Sequence, residues 1–324
     1  MKLVKKILGR LSGLKYPQEY LCLAKGSFEQ PLLVYLIIDG KVVEDITKHH
    51  NFVGYSPVIF ALSSAHSISL RPEKIMVAFT AKTLLLNEKF LKKDAVAILT
   101  MKKIKEQPLH GKTILYFEGM KGQHRFLSWF HQLAIQLQNR LYQKKPGNVF
   151  LPGNLYKQVQ IAYSVPRVIS LITVGSGGLY NLFPTDLHGP INDEYYVSSL
   201  RHGGEACKQV EIAGQILISQ VHSRMYKMAY SLGKNHMQEV KPKGNFLFSE
   251  SVSKVFSLPL PESSLKYYEL SLLDSFNQGI HKLLLYKIVW NETVDPEPST
   301  LAHIHNCYAT WRHQRGLPGN YLLR

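Results

Sequence analysis

Glycine, histidine, cysteine and arginine stand close together at a few places in this chain, and each place suggests a chemistry. Gly175-Ser176-Gly177-Gly178 is a turn at which a backbone can approach a ligand closely. It is not a dinucleotide loop, because Tyr180 stands where the third glycine of Gly-x-Gly-x-x-Gly is required. It is not a hydrolase elbow either, because Val174 stands two residues before Ser176. No lysine follows the glycines as in a phosphate-binding loop. His49-His50 and His303-x-His305 are spaced as metal pairs, but no carboxylate or thiolate at zincin spacing accompanies them, which speaks against a metal site. Cys207 near a helix start has two readings, a reactive thiol or a small buried hydrophobe, and the second is preferred. Trp311, Arg312, Arg315 and Tyr321 suit stacking on a planar ring or on nucleic acid, and equally subunit packing.

These residues need elements to hold them. Leu32 to Ile38 and Lys41 to Ile46 flank Asp39-Gly40, a hairpin signal. Val58 to Leu62, Ile75 to Thr80, Ala95 to Met101 and Thr113 to Phe117 read as further strands. Phe126, Phe130, Leu133, Leu137 and Leu141 recur at helical spacing, with Trp129 expected in core packing. Two Pro-Gly-Asn clusters, at 146–148 and 152–154, place a module boundary near residue 150. Beyond it come strands at Val168 to Val174, Tyr195 to Leu200, Gln215 to Val221, Leu265 to Leu273 and His281 to Trp290. Helices are expected at Glu205 to Ile212, stopped by Gly214, and at Arg224 to Leu232, capped by Gly233. The expected fold class is α+β to mostly β. A smaller α+β module at 1–150 precedes an antiparallel split barrel at 151–324.

Composition bounds the rest. Of 324 residues, 45% are hydrophobic and 19% charged, which is globular. No apolar run approaches the roughly 18 residues of a membrane-spanning helix. Three widely spaced cysteines argue against a disulfide scaffold and fit a cytoplasmic location. Residues 1–150 carry 23 Lys and Arg against 10 Asp and Glu, and the remainder 16 against 13. So basic a first half suggests a solvated surface or a face for an acidic partner, although no nucleic-acid motif is found. Met1 to Leu14 lacks the apolar core and cleavage site of a signal peptide and reads as a short amphipathic helix, docked on its own domain in preference to resting on anionic lipid.

One constellation keeps its order along the second half. It runs from Leu179 through Asn181, Leu182, Phe183, Pro184 and Thr185 to Asp186, then Ser198-Ser199-Leu200-Arg201, then Gly204-Glu205-Ala206-Cys207-Lys208. A strand from Gly214-Gln215 follows, and Gly279-Ile280-His281 heads the last strand. Over roughly 155–290 this resembles the flavin reductase-like, FMN-binding split β-barrel family. The resemblance implies an FMN-binding oxidoreductase that uses NADH or NADPH, working as a homodimer with FMN near the interface. It implies cofactor contacts from Asn181 to Thr185, Ser198 to Arg201, Gly204, Ala206, Cys207 and Lys208, and a catalytic role for His281. A helix start near Gly203-Gly204, with Arg201 and Lys208, suits the FMN phosphate. Three positions depart from the family's pattern: Asp186 replaces a serine, Ala206 a threonine, and Ile280 the aspartate before the histidine. The last departure admits a non-catalytic flavin-binding protein as an alternative, and the basic first half admits an interaction module for anionic partners.

Overall fold

The computed structural model describes residues 11–64, 74–109, 112–142, 151–296, 299–317 and 319–322. Most of the amphipathic stretch at the start of the chain lies outside them. The protein is mostly β, and its named strands pair antiparallel.

The first sheet is built from β1 (Leu33–Ile38), β2 (Lys41–Asp45), β3 (His50–Tyr55), β4 (Val58–Ser64), β5 (Ile75–Thr80), β6 (Ala97–Leu109) and β7 (Lys112–His124). The β1–β2 turn is as read from the sequence, with Asp39 at φ 47° and Gly40 at 78°. The second sheet is built from β8 (Ser170–Ser176), β9 (Leu179–Thr185), β10 (His188–Pro190), β11 (Tyr195–Arg201), β12 (Gln215–Val221), β13 (Ser264–Gln278) and β14 (His281–Thr293). A short strand, Lys241–Pro242, extends its β9 edge.

The spatial order of the first sheet is β2-β1-β5-β6-β7-β4-β3. That of the second is β9-β8-β12-β13-β14-β11-β10, the same order with every strand advanced by seven. The register repeats as well. β4 and β7 pair Ile59 with Glu118, and β11 and β14 pair Tyr195 with Lys287. Even the irregularities recur. Met120 and Val289, each the ninth residue of its strand, are bulged out of pairing. So are Ile104 and Leu273, each sixth from the end of its strand. A bulge bends and twists a strand at a fixed place, so two matching bulges give both long hairpins the same curvature. The chain holds one strand arrangement twice.

The copies face each other. One buried cluster joins Ile59, Ala61, Ile114 and Tyr116 of the first sheet to Tyr195, Val197, Leu283 and Leu285 of the second. By the register above, these are the same four positions in each copy. An interface in which matching positions meet is isologous, the pattern of a two-fold pair, here within one chain. Near the pseudo-axis β3 crosses β10. Asn51 Nδ2 donates to the Pro190 carbonyl at 2.9 Å, and its side chain lies where a Gly189 Cβ would be.

Helices complete the frame: α1 (Trp129–Tyr142), α2 (Asn154–Ala162), α3 (Glu205–Ala213) and α4 (Asn306–His313), with a shorter one at Tyr226–Ser231. Helix α1 forms where its periodicity predicts, but it turns Ala134 and Ile135 to the core. Trp129, expected inside, is 75% exposed, and Phe130, Leu133 and Leu137 are also exposed. The correction has a geometric cause: Phe126 and Leu127, just ahead of the helix, already fill the core there. Gly214 caps α3 at φ 64°, as expected. Gly233 caps nothing, because the chain continues from the helix Tyr226–Ser231 into a 3₁₀ segment, Leu232–Met237. A belt ties the chain's ends: Tyr20–Ala24 pairs with Leu301–His305, which also pairs with Arg167–Val168. Of the tail, Trp311 and Arg312 are buried while residues 313–316 are exposed. Trp311 stacks on Tyr308, and Arg312 is fully buried over Phe28, so neither is offered to an outside ring or a second copy.

Candidate ligand site at the seam between the two sheets

The order β11–β14 places Arg201 opposite His281 and Ser199 opposite Leu283. Paired residues share a face, so Ser199, Arg201 and His281 lie on the side turned to the first sheet, with Val197 and Leu283. The β3–β4 turn meets them there. Arg201 donates from Nε and an Nη to the Tyr55 hydroxyl at 2.8 and 2.5 Å. The Tyr55 ring stands edge-on to the His281 ring, 4.6 Å between centroids. The Tyr55 N–H donates to His281 Nε2 at 3.4 Å, and the Ile280 N–H to the Ser56 carbonyl at 3.1 Å. Gly279 permits this approach: it sits at φ 59°, and a Cβ there would lie 2.1 Å from the Ser56 oxygen.

His281 is 1% exposed, and its Nδ1 finds no partner among the described residues. Ser199 Oγ is likewise buried and unpaired. Burial, and then the nearby Arg201 charge, push the His281 pKa down to about 4, with Asp186 opposing. Its imidazole is therefore neutral near pH 7. Burial raises the Tyr55 pKa despite Arg201 beside it.

Asp186 directly follows β9 and lies near His281 and Tyr55. It accepts hydrogen bonds from Tyr163 Oη at 2.9 Å and His303 Nδ1 at 2.8 Å. Burial favours its neutral form, but these two bonds outweigh burial and hold its pKa below the ordinary carboxylate value. Tyr230 in turn bonds His303. His303 and His305 share a strand face beside Tyr20, as the sequence spacing predicts for a strand. Their partners are structural: His305 caps α4 through the Cys307 N–H. Among the described residues no group of three or more His, Cys, Asp or Glu is placed to hold a metal ion.

The residues expected to contact a flavin divide into three sets. Ser199, Arg201 and His281 meet at the seam. A second set lies under residues 232–238. Asn181 Nδ2 donates to Gln209 Oε1 at 2.7 Å and to the carbonyls of Asn235 and Gln238. The Leu182 carbonyl accepts from Asn235, and the Pro184 carbonyl from His236. Phe183 packs on the His236 ring, and Gly204 is close to the His236 carbonyl. A third set turns inward or to solvent. Ser198 bonds Tyr286, while Leu200, Ala206 and Cys207 lie in the core of the second sheet. Burial, with Glu211 adding to it, raises the Cys207 pKa to about 11, so it is a protonated thiol. Thr185 Oγ1 accepts from the Leu187 N–H. Lys208, exposed on α3, is paired with Glu205 at 2.6 Å.

Tyr55, Ser56, Tyr163 and His236 escaped the sequence reading. Tyr55 stands far from His281 in the chain, and only the pairing of the two sheets joins them. The one available signal was Asp186, an acidic residue in an otherwise apolar and neutral strand.

No family model matches the chain, and no curated protein does. Solved structures do. An FMN-binding protein from Thermus thermophilus, with bound p-hydroxybenzaldehyde, is 18% identical over 40% of this chain and 73% of its own, with a TM-score of 0.36. An NADH:FAD oxidoreductase of Streptomyces globisporus is 11% identical over 50% of this chain and 96% of its own, with a TM-score of 0.40. The flavin reductase component of a bacterial two-component tryptophan halogenase is 11% identical over 46% of this chain and 98% of its own, with a TM-score of 0.39. At this distance the likeness carries no argument about what this chain does, and the reading below rests on the chain's own residues.

Proposed function

We propose that the chain is a flavin-binding oxidoreductase made of two split-barrel halves, with the border between them near residue 150. FMN lies at the seam, and NADH or NADPH serves as reductant. The observation that carries this reading is the pair of buried, unpartnered polar atoms, Ser199 Oγ and His281 Nδ1, on the face that also bears Arg201. Buried polar atoms are usually paired by protein, water or ligand. Of the sixteen buried side-chain atoms without a hydrogen-bond partner among the described residues, these two share a face with an exposed cation, which suits a ligand that pairs them. Arg201 supplies a cation for an anionic group, and Tyr55 an apolar ring edge. A bound flavin supplies the hydride chemistry. The chain's residues bind and orient it. His281, neutral and accepting the Tyr55 N–H at Nε2, carries its proton on Nδ1 and donates one hydrogen bond there, with no carboxylate at 280 to receive it.

Asn181, Leu182 and Pro184 do not fit the flavin contacts the resemblance gives them, because residues 232–238 already take their hydrogen bonds. The flavin is therefore assigned to the Arg201–His281 side. The pairing that the resemblance assigns to two copies is supplied by the two halves, so the working unit is one chain. Buried free cysteines fit a reducing compartment.

The test is an FMN titration followed by fluorescence quenching. Wild type is expected to saturate, and Arg201→Gln to weaken binding at least tenfold. Unquenched FMN at high protein concentration rejects the reading. Steady-state oxidation of NADH or NADPH then separates turnover from binding alone, which the missing carboxylate before His281 favours.

A further inference from the structure

Two-fold pairing creates two seams, and the second carries its own site. A cavity of about 460 Å³ opens between the halves, lined by Lys48, His49 and Ser63 of the first and by Asp193, Lys266 and Tyr268 of the second, among others. Ser63 pairs with Ile114 as Ser199 pairs with Leu283, so it is the counterpart of Ser199. His50 pairs with Leu62 as His188 pairs with Ser198, which makes Lys48, two residues before His50, the counterpart of Asp186. The β10–β11 turn, with Asp193, enters this cavity as the β3–β4 turn, with Tyr55, enters the other seam. The cavity is thus the pseudo-symmetric mate of the Arg201–His281 site. At that site Tyr163 and His303 close over Asp186, and at the mate the space is open.

The chemistry of the two seams has diverged. Asp186 is replaced by a cation, Lys48, and a second cation, Lys266, enters from the opposite half. Neither lysine is in an ion pair among the described residues. Lys266 lies over the Tyr268 ring, 4.8 Å from its centroid. The lining carries two lysines, one from each half, beside two carboxylates, Glu44 and Asp193. The lysines are the groups that can meet an anion, and the carboxylates can accept from hydroxyl or amino groups of the same molecule. An aromatic wall with Ile191 and Ile288 nearby favours a flat apolar body. The volume is within the usual range for a small-molecule site.

We propose that this cavity binds a phosphorylated planar heterocycle of nucleoside monophosphate size, its phosphate between Lys48 and Lys266 and its ring against Tyr268. The proposal stands on the duplication and the cavity and does not rest on the flavin assignment. Its test is calorimetric titration of the full chain with adenosine 5′-monophosphate, adenosine and inorganic phosphate. The monophosphate is expected to bind at one site more tightly than either fragment. Lys48→Glu and Lys266→Glu are each expected to weaken it at least tenfold, and Arg201→Gln to leave it unchanged. FMN binding lost in Lys48→Glu but kept in Arg201→Gln supports the cavity while overturning the flavin assignment. No binding at millimolar monophosphate, binding equalled by phosphate alone, or binding indifferent to both charge reversals overturns the proposal. Circular dichroism of the two lysine variants, expected to match wild type, guards against unfolding as the cause of a loss.

Discussion

At the residue scale the seam depends on a histidine kept neutral by burial. His281, His188 and His124 have pKa values pushed down to about 4, and His50 to about 3, in each case chiefly by burial. The unfolded chain binds these protons near pH 6.5, and the folded chain only below about 4. Their contribution to stability is therefore complete above about pH 6.5 and is lost as pH falls toward 4. Urea midpoints measured between pH 8 and 4 are expected to hold steady to about 6.5 and then drop. A flat profile across that window contradicts the assignment. His281→Gln is expected to reduce the slope, because an amide has no proton to gain. The polar residues Arg201, Ser199 and His281 were legible as candidates because the motif order placed them on strands. Tyr55 was not, since no local pattern ties a turn in the first half to a strand end in the second. Asp186 was visible as an unusual residue, but its partners Tyr163 and His303 are fixed only by packing.

At the element scale the 3₁₀ segment Leu232–Met237 is held by side chains rather than by a sheet. Asn181 and Asn235 bridge it to β9, and Gln209 bridges it to α3. Removing the Asn181 amide leaves carbonyls of Asn235 and Gln238 without that donor, at a cost of about 1–3 kcal/mol. Asn181→Ala is expected to lower the unfolding free energy by that amount and to speed amide exchange in 232–238 alone. Unchanged exchange there contradicts the bridging role. The turn at Gly279 is equally demanding. Gly279→Ala adds a Cβ against Ser56 and Pro57 at a positive φ, and a loss of about 1–3 kcal/mol is expected in denaturant titration. Strands, hairpins and α3 could be read from alternation, turn residues and the Gly214 cap. The extent of the long hairpins could not, because their ends pass from buried to exposed and lose the apolar pattern. The exposed face of α1 misled for a related reason: periodicity marks an apolar stripe but not what lies opposite.

At the scale of the whole molecule the duplication explains why the two large sheets share one strand order and meet in one buried cluster. It was invisible in the sequence because the matched seam positions share only apolar character, as Ile59 and Tyr195 or Ala61 and Val197 do, and identical pairs such as Ser63 and Ser199 are isolated. A shared interior needs volume and apolarity, not identity. Light scattering on the purified chain is expected to give one species near 36.9 kDa, the mass of a single copy. A stable species at twice that mass contradicts pairing within the chain. Tyr116→Ala, which empties the centre of the seam, is expected to cost about 3–5 kcal/mol in denaturant titration. The proposed flavin site draws on both halves, Tyr55 from the first and Arg201 and His281 from the second. The most direct measurement is the visible difference spectrum of FMN equilibrated with wild type, Tyr55→Phe and Arg201→Gln. The account predicts a shifted, saturable flavin spectrum with wild type that weakens when either half is altered. A spectrum identical to free FMN, or one indifferent to both substitutions, contradicts it.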